Sequence, residues 1–128
     1  MTERVITALS HPSVTILGHP TNRLLLGRDS SPLDLEQVFE AAKNYGVVME
    51  LNANPARLDL DWRHLKRAAA IGLSIAINPD AHQVEGFADT GFGVAIARKG
   101  WLEKKDVFNS AGRAEMEKLL QIRKGRTR

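Results

Sequence analysis

The sequence contains no cysteine. This absence excludes a disulfide framework and a thiolate metal site, so any bound metal must use histidine, aspartate, glutamate or water. No apolar run approaches the roughly 18 residues that a membrane helix needs. The first residues also lack the basic and apolar regions of a secretion signal. We therefore expect a soluble cytoplasmic protein with no membrane partner.

The chain also lacks a glycine-rich phosphate loop, a Walker sequence and a Ser/His/Asp signature, and it has little net charge outside its end. The formal charge is +3, but Arg123, Lys124, Arg126 and Arg128 all lie in the last six residues. Removing those four cations leaves the rest slightly negative. We interpret residues 1–122 as one globular domain and 123–128 as a basic tail, either a solvated terminus or an electrostatic arm for phosphate backbones.

Short apolar runs alternate with amphipathic segments along the chain. The runs predict strands near residues 14–18, 47–51 and 73–78, with helices between them and a helix at the C-terminal end. This order is typical of an α/β fold with a parallel sheet.

Capping residues predict where the helices begin and end. Ser31 and Pro32 indicate the start of the first predicted helix, and Gly46 its end. Asp59 or Asp61 caps the second, which Gly72 ends. A third ends at Gly100, and Gly91 and Gly93 weaken that prediction.

Polar side chains follow each predicted strand: His19, then Glu50 and Asn52, then Asp80 and His82. The carboxyl ends of parallel strands are where sites are built in α/β proteins. Pro79 ends the third strand, and an extended segment after it would direct Asp80 and His82 to the same side, as ligands for Zn, Mn or Fe. Alternatively, Asp80 caps the next helix, His82 is a surface residue, and these loops are polar only because loops generally are.

Four motifs in order resemble the C-terminal half of the polymerase-and-histidinol-phosphatase (PHP) domain, as attached to bacterial family X DNA polymerases. They are residues 16–25 (ILGHPTNRLL), 49–60 (MELNANPARLDL), 78–82 (NPDAH) and 97–102 (ARKGWL). The resemblance implies part of a distorted seven-stranded β/α barrel whose strand ends hold up to three divalent metals. It departs from the family at Asn22, usually a glycine, and at Pro79, usually a small polar residue.

The same resemblance implies roles for single residues. His19 matches a lone-histidine metal ligand, and Asp80 and His82 match a final Asp-x-His motif. Glu50 and Asn52 match a later Glu-x-Asn segment, where an outer-sphere or substrate-contacting role is expected rather than metal bridging. The family's His-x-His motif, further histidines and bridging glutamate are not in these 128 residues. The ligand set is therefore incomplete, and no catalytic residue is assigned.

Other residues leave alternatives open. Arg23 and Arg57 suit phosphate binding, with surface ion pairing as the alternative. His11 and His64 match no motif, and we expect structural or solvent-facing roles. Trp101 is expected to be a packing anchor rather than a base-stacking platform.

The resulting hypothesis is a metal-dependent phosphoesterase module acting on single-stranded DNA 3′ ends or another phosphoester, with weak metal binding and poor hydrolysis by the isolated chain. The alternative is a non-catalytic half-barrel that serves as a scaffold or docking module for a partner chain. Three parallel strands with two exposed edges further predict self-association, or pairing with an N-terminal half-barrel.

Overall fold

A computed structural model describes residues 1–125 of the protein. Within them, helices and parallel strands alternate after an initial helix. The elements are α1 (Thr2–Ser10), β1 (Ile16–Leu17), α2 (Leu35–Tyr45), β2 (Val48–Asn52), α3 (Trp62–Ala70), β3 (Ile75–Asn78), α4 (Thr90–Lys99) and α5 (Arg113–Gly125). Short 3-10 helices at Val84–Asp89, Lys104–Asp106 and Phe108–Ser110 connect the later elements.

The three strands form one parallel sheet in the order β1-β2-β3. Ile16 pairs with Val48, and the β2–β3 register runs from Met49 opposite Ile75 to Asn52 opposite Asn78. The α/β class and the three strand positions are thus as predicted, although β1 has only two residues where 14–18 was expected.

The two faces of the sheet differ in what covers them. Met49, Leu51, Ile75 and Ile77 alternate onto one face and join the main apolar core with residues of α1 to α4. On the other face, Val48 and Ala76 contact Phe108, with Met116 and Leu120 of α5 packed beside them. By the same alternation, Glu50, Asn52 and Asn78 lie further along this second face. It is therefore apolar at the amino end and polar at the carboxyl end.

The start of α2 differs from the prediction. The N-cap is Asp34, whose side chain accepts a hydrogen bond from the Gln37 amide. The predicted cap, Ser31, lies in the preceding loop, where its backbone amide donates to the Thr21 carbonyl. A carboxylate at the positive end of the helix dipole is a stronger cap than a hydroxyl three residues earlier, so the helix begins later.

The other predicted boundaries agree better with the structure. Asp61 caps α3, and its side chain accepts from the Arg63 amide. Gly46 and Gly72 adopt left-handed conformations with φ of 67° and 76°, which glycine accommodates without strain.

Helix α1 was not predicted, although its apolar residues Val5, Ile6 and Leu9 contribute to the main core. It packs on α2, and the Thr2 hydroxyl accepts a hydrogen bond from the Asp34 amide. The start of α2 is thus held by the first turn of α1.

Helix α4 lies close to the sheet because residue 93 is glycine. A β-carbon there would meet Ile77 Cγ2 at 2.5 Å and Ala53 Cβ at 2.7 Å, both too close for real atoms. The glycine that weakened the helix prediction is therefore a packing requirement, and the helix does end at the predicted Gly100.

The outer edge of β3 is occupied rather than exposed. Val107 forms a parallel bridge with Ile75, and the Asn109 side chain accepts from the Ile77 amide at 3.0 Å and donates to its carbonyl at 2.7 Å. The expectation of two exposed edges is wrong for β3, because an amide side chain replaces a neighbouring strand. Self-association stays a prediction.

Of the predicted basic tail, Arg123 and Lys124 lie within α5. Residues 126–128, including Arg126 and Arg128, lie outside the described residues. None of the helices in residues 1–125 is long and apolar enough to cross a membrane.

Candidate functional site at the carboxyl ends of the strands

Glu50 is a buried carboxylate, only 8% exposed, at the centre of the polar half of the sheet face. Its Oε2 accepts from the His19 backbone amide at 2.5 Å and from Asn52 Nδ2 at 3.3 Å, while Oε1 accepts from Asn78 Nδ2 at 2.9 Å. Three donors offset the cost of removing this carboxylate from water. Glu50 thereby connects β2 to the loop after β1 and to β3.

Asn52, 1% exposed, joins Glu50 to Asp80. Its Nδ2 lies 3.3 Å from Glu50 Oε2 and 3.0 Å from Asp80 Oδ2, and its Oδ1 accepts from the Asn54 amide at 3.1 Å. A neutral amide with two N–H donors lets two carboxylates approach one point without direct repulsion. The Glu-x-Asn spacing places both side chains on one face of β2.

The chain turns after Pro79 instead of staying extended. Asp80 has φ of +54°, a left-handed conformation that aspartate tolerates better than most residues. His82 is exposed, and its Nδ1 lies 2.7 Å from the Asp80 carbonyl oxygen. The extended geometry considered for residues 80–82 is therefore wrong, because Asp80 takes a left-handed rather than an extended conformation.

Arg57 is the cation of the site. Its Nε lies 3.4 Å from Asp80 Oδ2, and its side chain is 18% exposed. A second guanidinium nitrogen, Nη1, donates to the Arg23 carbonyl at 3.3 Å and to Asn22 Oδ1 at 3.4 Å. Arg57 thus forms an ion pair, as the alternative predicted, but its partner is Asp80, a predicted metal ligand.

Arg23 donates hydrogen bonds to the loop that carries Arg57. Its Nε donates to the Arg57 carbonyl at 2.9 Å, one terminal nitrogen donates to Asp61 at 2.9 Å, and the other donates to the Leu58 carbonyl. Hydrogen bonds from Arg63 first, and from Arg23 as well, hold the pKa of the Asp61 carboxyl well below its usual range. We conclude that Arg23 positions Arg57.

Asp59 is a site residue that the sequence did not indicate as such. It is fully buried, its carboxylate accepts from the Thr21 amide at 3.0 and 3.2 Å, and its backbone pairs with that of Asn52. Burial raises the pKa of this carboxyl despite the Thr21 hydrogen bonds. Asp59 connects the loop after β1 to the loop after β2. In the sequence, a carboxylate between two leucines, Leu58 and Leu60, could have indicated a buried acid.

The structure brings together Glu50, Asn52, Asp80 and Arg57 through side chains. It joins His19 to them through its backbone amide and leaves His82 on an exposed turn. Within residues 1–125, no three histidine, aspartate or glutamate side chains form a group able to hold a metal ion. The donor types suit Zn, Mn or Fe, but their number and convergence do not make a complete metal site.

Among the residues set apart from the site, His11 is exposed and its Nδ1 accepts from the Ser13 amide, which fits the local role expected. Trp101 is 76% exposed, so the prediction of a packing anchor is wrong.

No family model matches the chain. The DNA polymerase/3′-5′ exonuclease PolX of Bacillus subtilis is 43% identical over 119 residues, which are 93% of this chain and 21% of that protein. A probable phosphatase of Thermoanaerobacter sp. is 33% identical over 63% of this chain and 33% of its own length. A probable phosphatase of Vibrio parahaemolyticus is 27% identical over 93% of this chain and 48% of that protein. The chain thus spans between a fifth and a half of the length of these homologues.

Proposed function

We propose that the chain is the C-terminal part of a PHP-type β/α domain and contributes to metal-dependent phosphoester hydrolysis, with single-stranded DNA 3′ ends as the substrate. The observation that carries the proposal is the hydrogen-bonded group of Glu50, Asn52, Asp80 and Arg57 at the strand carboxyl ends. Similarity to a polymerase/exonuclease over 93% of the chain supports DNA, and similarity to probable phosphatases supports phosphoester chemistry in general.

The division of the sheet face supports the partial barrel. In a β/α barrel, helices cover the outside of the strands and the inward face carries the site at its carboxyl end. Here the core formed with α1 to α4 covers one face, and the opposite face carries the polar group. Phe108 and α5 cover the apolar part of that inward face.

We propose His19, Asp80 and His82 as contributors to metal sites that residues outside this sequence complete. When bound, such metals supply positive charge that lowers the pKa of a water nucleophile and stabilises the leaving oxygen. The described residues offer too few converging ligands for this by themselves. The isolated chain is therefore expected to bind metal weakly.

Arg57 is the residue that we propose for substrate contact. It lies beside Asp80 with 18% of its side chain exposed, and its planar guanidinium can donate to two phosphate oxygens. Glu50 and Asn52 hold the loop of His19 and the carboxylate of Asp80 in place, which makes them positioning residues.

The test measures metal content and hydrolysis of a single-stranded oligonucleotide with added Mn or Zn. Each is measured for the chain alone and together with the PHP segment that precedes the matching region in a homologue. We expect strong activity only for the combination, lost with Asp80→Ala, His82→Ala or Arg57→Ala and kept with Arg113→Ala, an exposed arginine on α5. Robust activity of the chain alone that survives Asp80→Ala would refute the ligand assignment.

A non-catalytic scaffold is the second candidate, and the lack of a three-ligand group within residues 1–125 favours it. A scaffold predicts that the combined proteins associate and bind metal but hydrolyse neither oligonucleotide nor a small phosphodiester.

A further inference from the structure

Both tryptophans of the chain lie where α3 meets the end of α4. Trp62 is the first residue of α3 and lies beside Lys99 of α4, and Trp101 follows α4 and lies beside Lys66 of α3. Lys99 Nζ lies 4.8 Å from the Trp62 ring centroid, and Lys66 Nζ lies 5.7 Å from that of Trp101. Both distances are within the range of cation–π attraction. We call these four residues the tryptophan–lysine surface.

The backbone beneath this surface has an unusual geometry. A β-carbon at Gly100 would meet Leu65 Cβ at 2.7 Å and the Trp62 carbonyl oxygen at 3.1 Å, so α4 ends against α3 only because residue 100 is glycine. The left-handed position then falls to Trp101, with φ of +66°. A bulky residue is disfavoured there, and a side chain that is 76% exposed gains little burial in return.

The lysines of the surface carry unneutralised charge. Neither Lys66 nor Lys99 pairs with a carboxylate in the described part of the chain, whereas the neighbouring Arg63 and Arg67 are paired with Asp61 and Glu36. Glu103, two residues after Trp101, pairs with Lys105. Two cations without a carboxylate partner, beside two exposed aromatic rings, match a ligand that has both phosphates and flat bases.

The surface adjoins the candidate site. Asp61 precedes Trp62 in the chain and is paired with Arg23, which in turn holds Arg57. A strand lying on the surface would therefore have the rim of the site beside it.

We propose that the tryptophan–lysine surface binds single-stranded nucleic acid, with bases stacked on the open faces of Trp62 and Trp101 and phosphates beside Lys66 and Lys99. That the bound strand is also the substrate rests on the proposed function. Binding itself requires neither a metal nor hydrolysis.

The test is fluorescence anisotropy of a labelled 16-nucleotide oligo(dT) in EDTA, together with quenching of the intrinsic tryptophan fluorescence. Trp101→Gly removes the ring and places in the left-handed position the residue that suits it best, so the fold is kept. We expect affinity to fall roughly 5- to 150-fold, as for loss of one stacked base. Lys66→Ala/Lys99→Ala should reduce the slope of log affinity against log salt by about 1.4.

The matched control is Lys43→Ala/Lys118→Ala, which removes two exposed lysines on α2 and α5. It should retain the affinity, and circular dichroism should show all variants folded. Equal affinity of Trp101→Gly and the unsubstituted chain, or equal losses in both lysine pairs, would overturn the proposal. The proposal would also be overturned if the chain bound no oligonucleotide and Trp101→Gly changed its size-exclusion volume. That result would assign the surface to contact between copies of the chain.

The outcome is separable from that of the proposed function. Asp80→Ala should abolish hydrolysis by the combined proteins but leave oligo(dT) binding by the surface unchanged. Binding that depends on Trp101 without any hydrolysis would retain this proposal and reject the esterase.

Discussion

Replacing Asn52 with aspartate would put a third carboxylate between Glu50 and Asp80. The Asn52 Nδ2 atom lies 3.3 Å from Glu50 Oε2 and 3.0 Å from Asp80 Oδ2. At those distances each repulsion between full charges is about 5 kcal/mol for an effective dielectric of about 20. Keeping one carboxyl protonated at pH 7 costs about 4 kcal/mol, because pH 7 is about three units above the usual pKa of a carboxyl. Protonation is the cheaper route, so Asn52→Asp should destabilise the fold by about 4 kcal/mol at pH 7.

This loss should depend on pH with a definite sign. Repulsion raises the folded-state pKa of the introduced carboxyl above the unfolded value of about 4. Stability is therefore retained below about pH 4 and lost as the pH rises towards the raised folded-state pKa. Urea denaturation at pH 7 and near pH 4.5 measures the difference, which should shrink markedly at the lower pH.

The matched control is Asn54→Asp, two residues along the chain. Asn54 Oδ1 accepts from the Ala56 amide at 2.9 Å, and a carboxylate oxygen accepts equally well. This variant should be nearly neutral at both pH values. An Asn52→Asp variant that behaves like Asn54→Asp, or loses the same free energy at both pH values, would refute the geometry of the Glu50–Asn52–Asp80 group.

Two further predictions concern the packing and the buried acid. Gly93→Ala should destabilise the fold by about 1–3 kcal/mol, because the added methyl group overlaps Ile77 and Ala53. Gly91→Ala on the same helix meets nothing within 4 Å and should stabilise the fold by about 0.5–1 kcal/mol. Urea denaturation midpoints of the two variants that do not diverge would contradict this. Because the folded-state pKa of Asp59 is raised, its contribution to stability is present below the unfolded pKa of about 4 and lost as the pH rises. Asp59→Asn should remove this pH dependence in denaturation measured from pH 4 to 8, and an unchanged profile would reject the assignment.

The place of the site could be predicted from the sequence, but its internal geometry could not. Apolar runs ending in polar residues identify the carboxyl ends of β2 and β3, and the parallel register then brings Asn52 opposite Asn78. The direction of the chain after β3 depends on one backbone angle at Asp80, which no periodicity encodes. His82 consequently lies on an exposed turn rather than on the same extended segment.

Gly100 and Trp101 illustrate a second limit of sequence reasoning. A glycine at a helix end predicts the left-handed position, yet Gly100 has φ of −81° and the next residue takes that conformation. The glycine is required instead by the contact of α4 with Leu65 and the Trp62 carbonyl, which is a tertiary contact. Trp101, which takes the left-handed conformation instead, is 76% exposed.

Left-handed residues other than glycine are concentrated around the candidate site. His19, Asn22, Leu58 and Asp80 all have positive φ and lie in loops at the strand carboxyl ends. Asparagine and aspartate tolerate this conformation, but histidine and leucine do so at a cost of about 1–2 kcal/mol each. The backbone groups of those two residues are held by charged side chains: Glu50 accepts from the His19 amide, and Arg23 donates to the Leu58 carbonyl. The loops therefore keep their shape through the hydrogen bonds of the site and not through local preference. Removing Glu50 or Arg23 should consequently displace the loops that carry His19 and Arg57, although neither residue need touch a substrate.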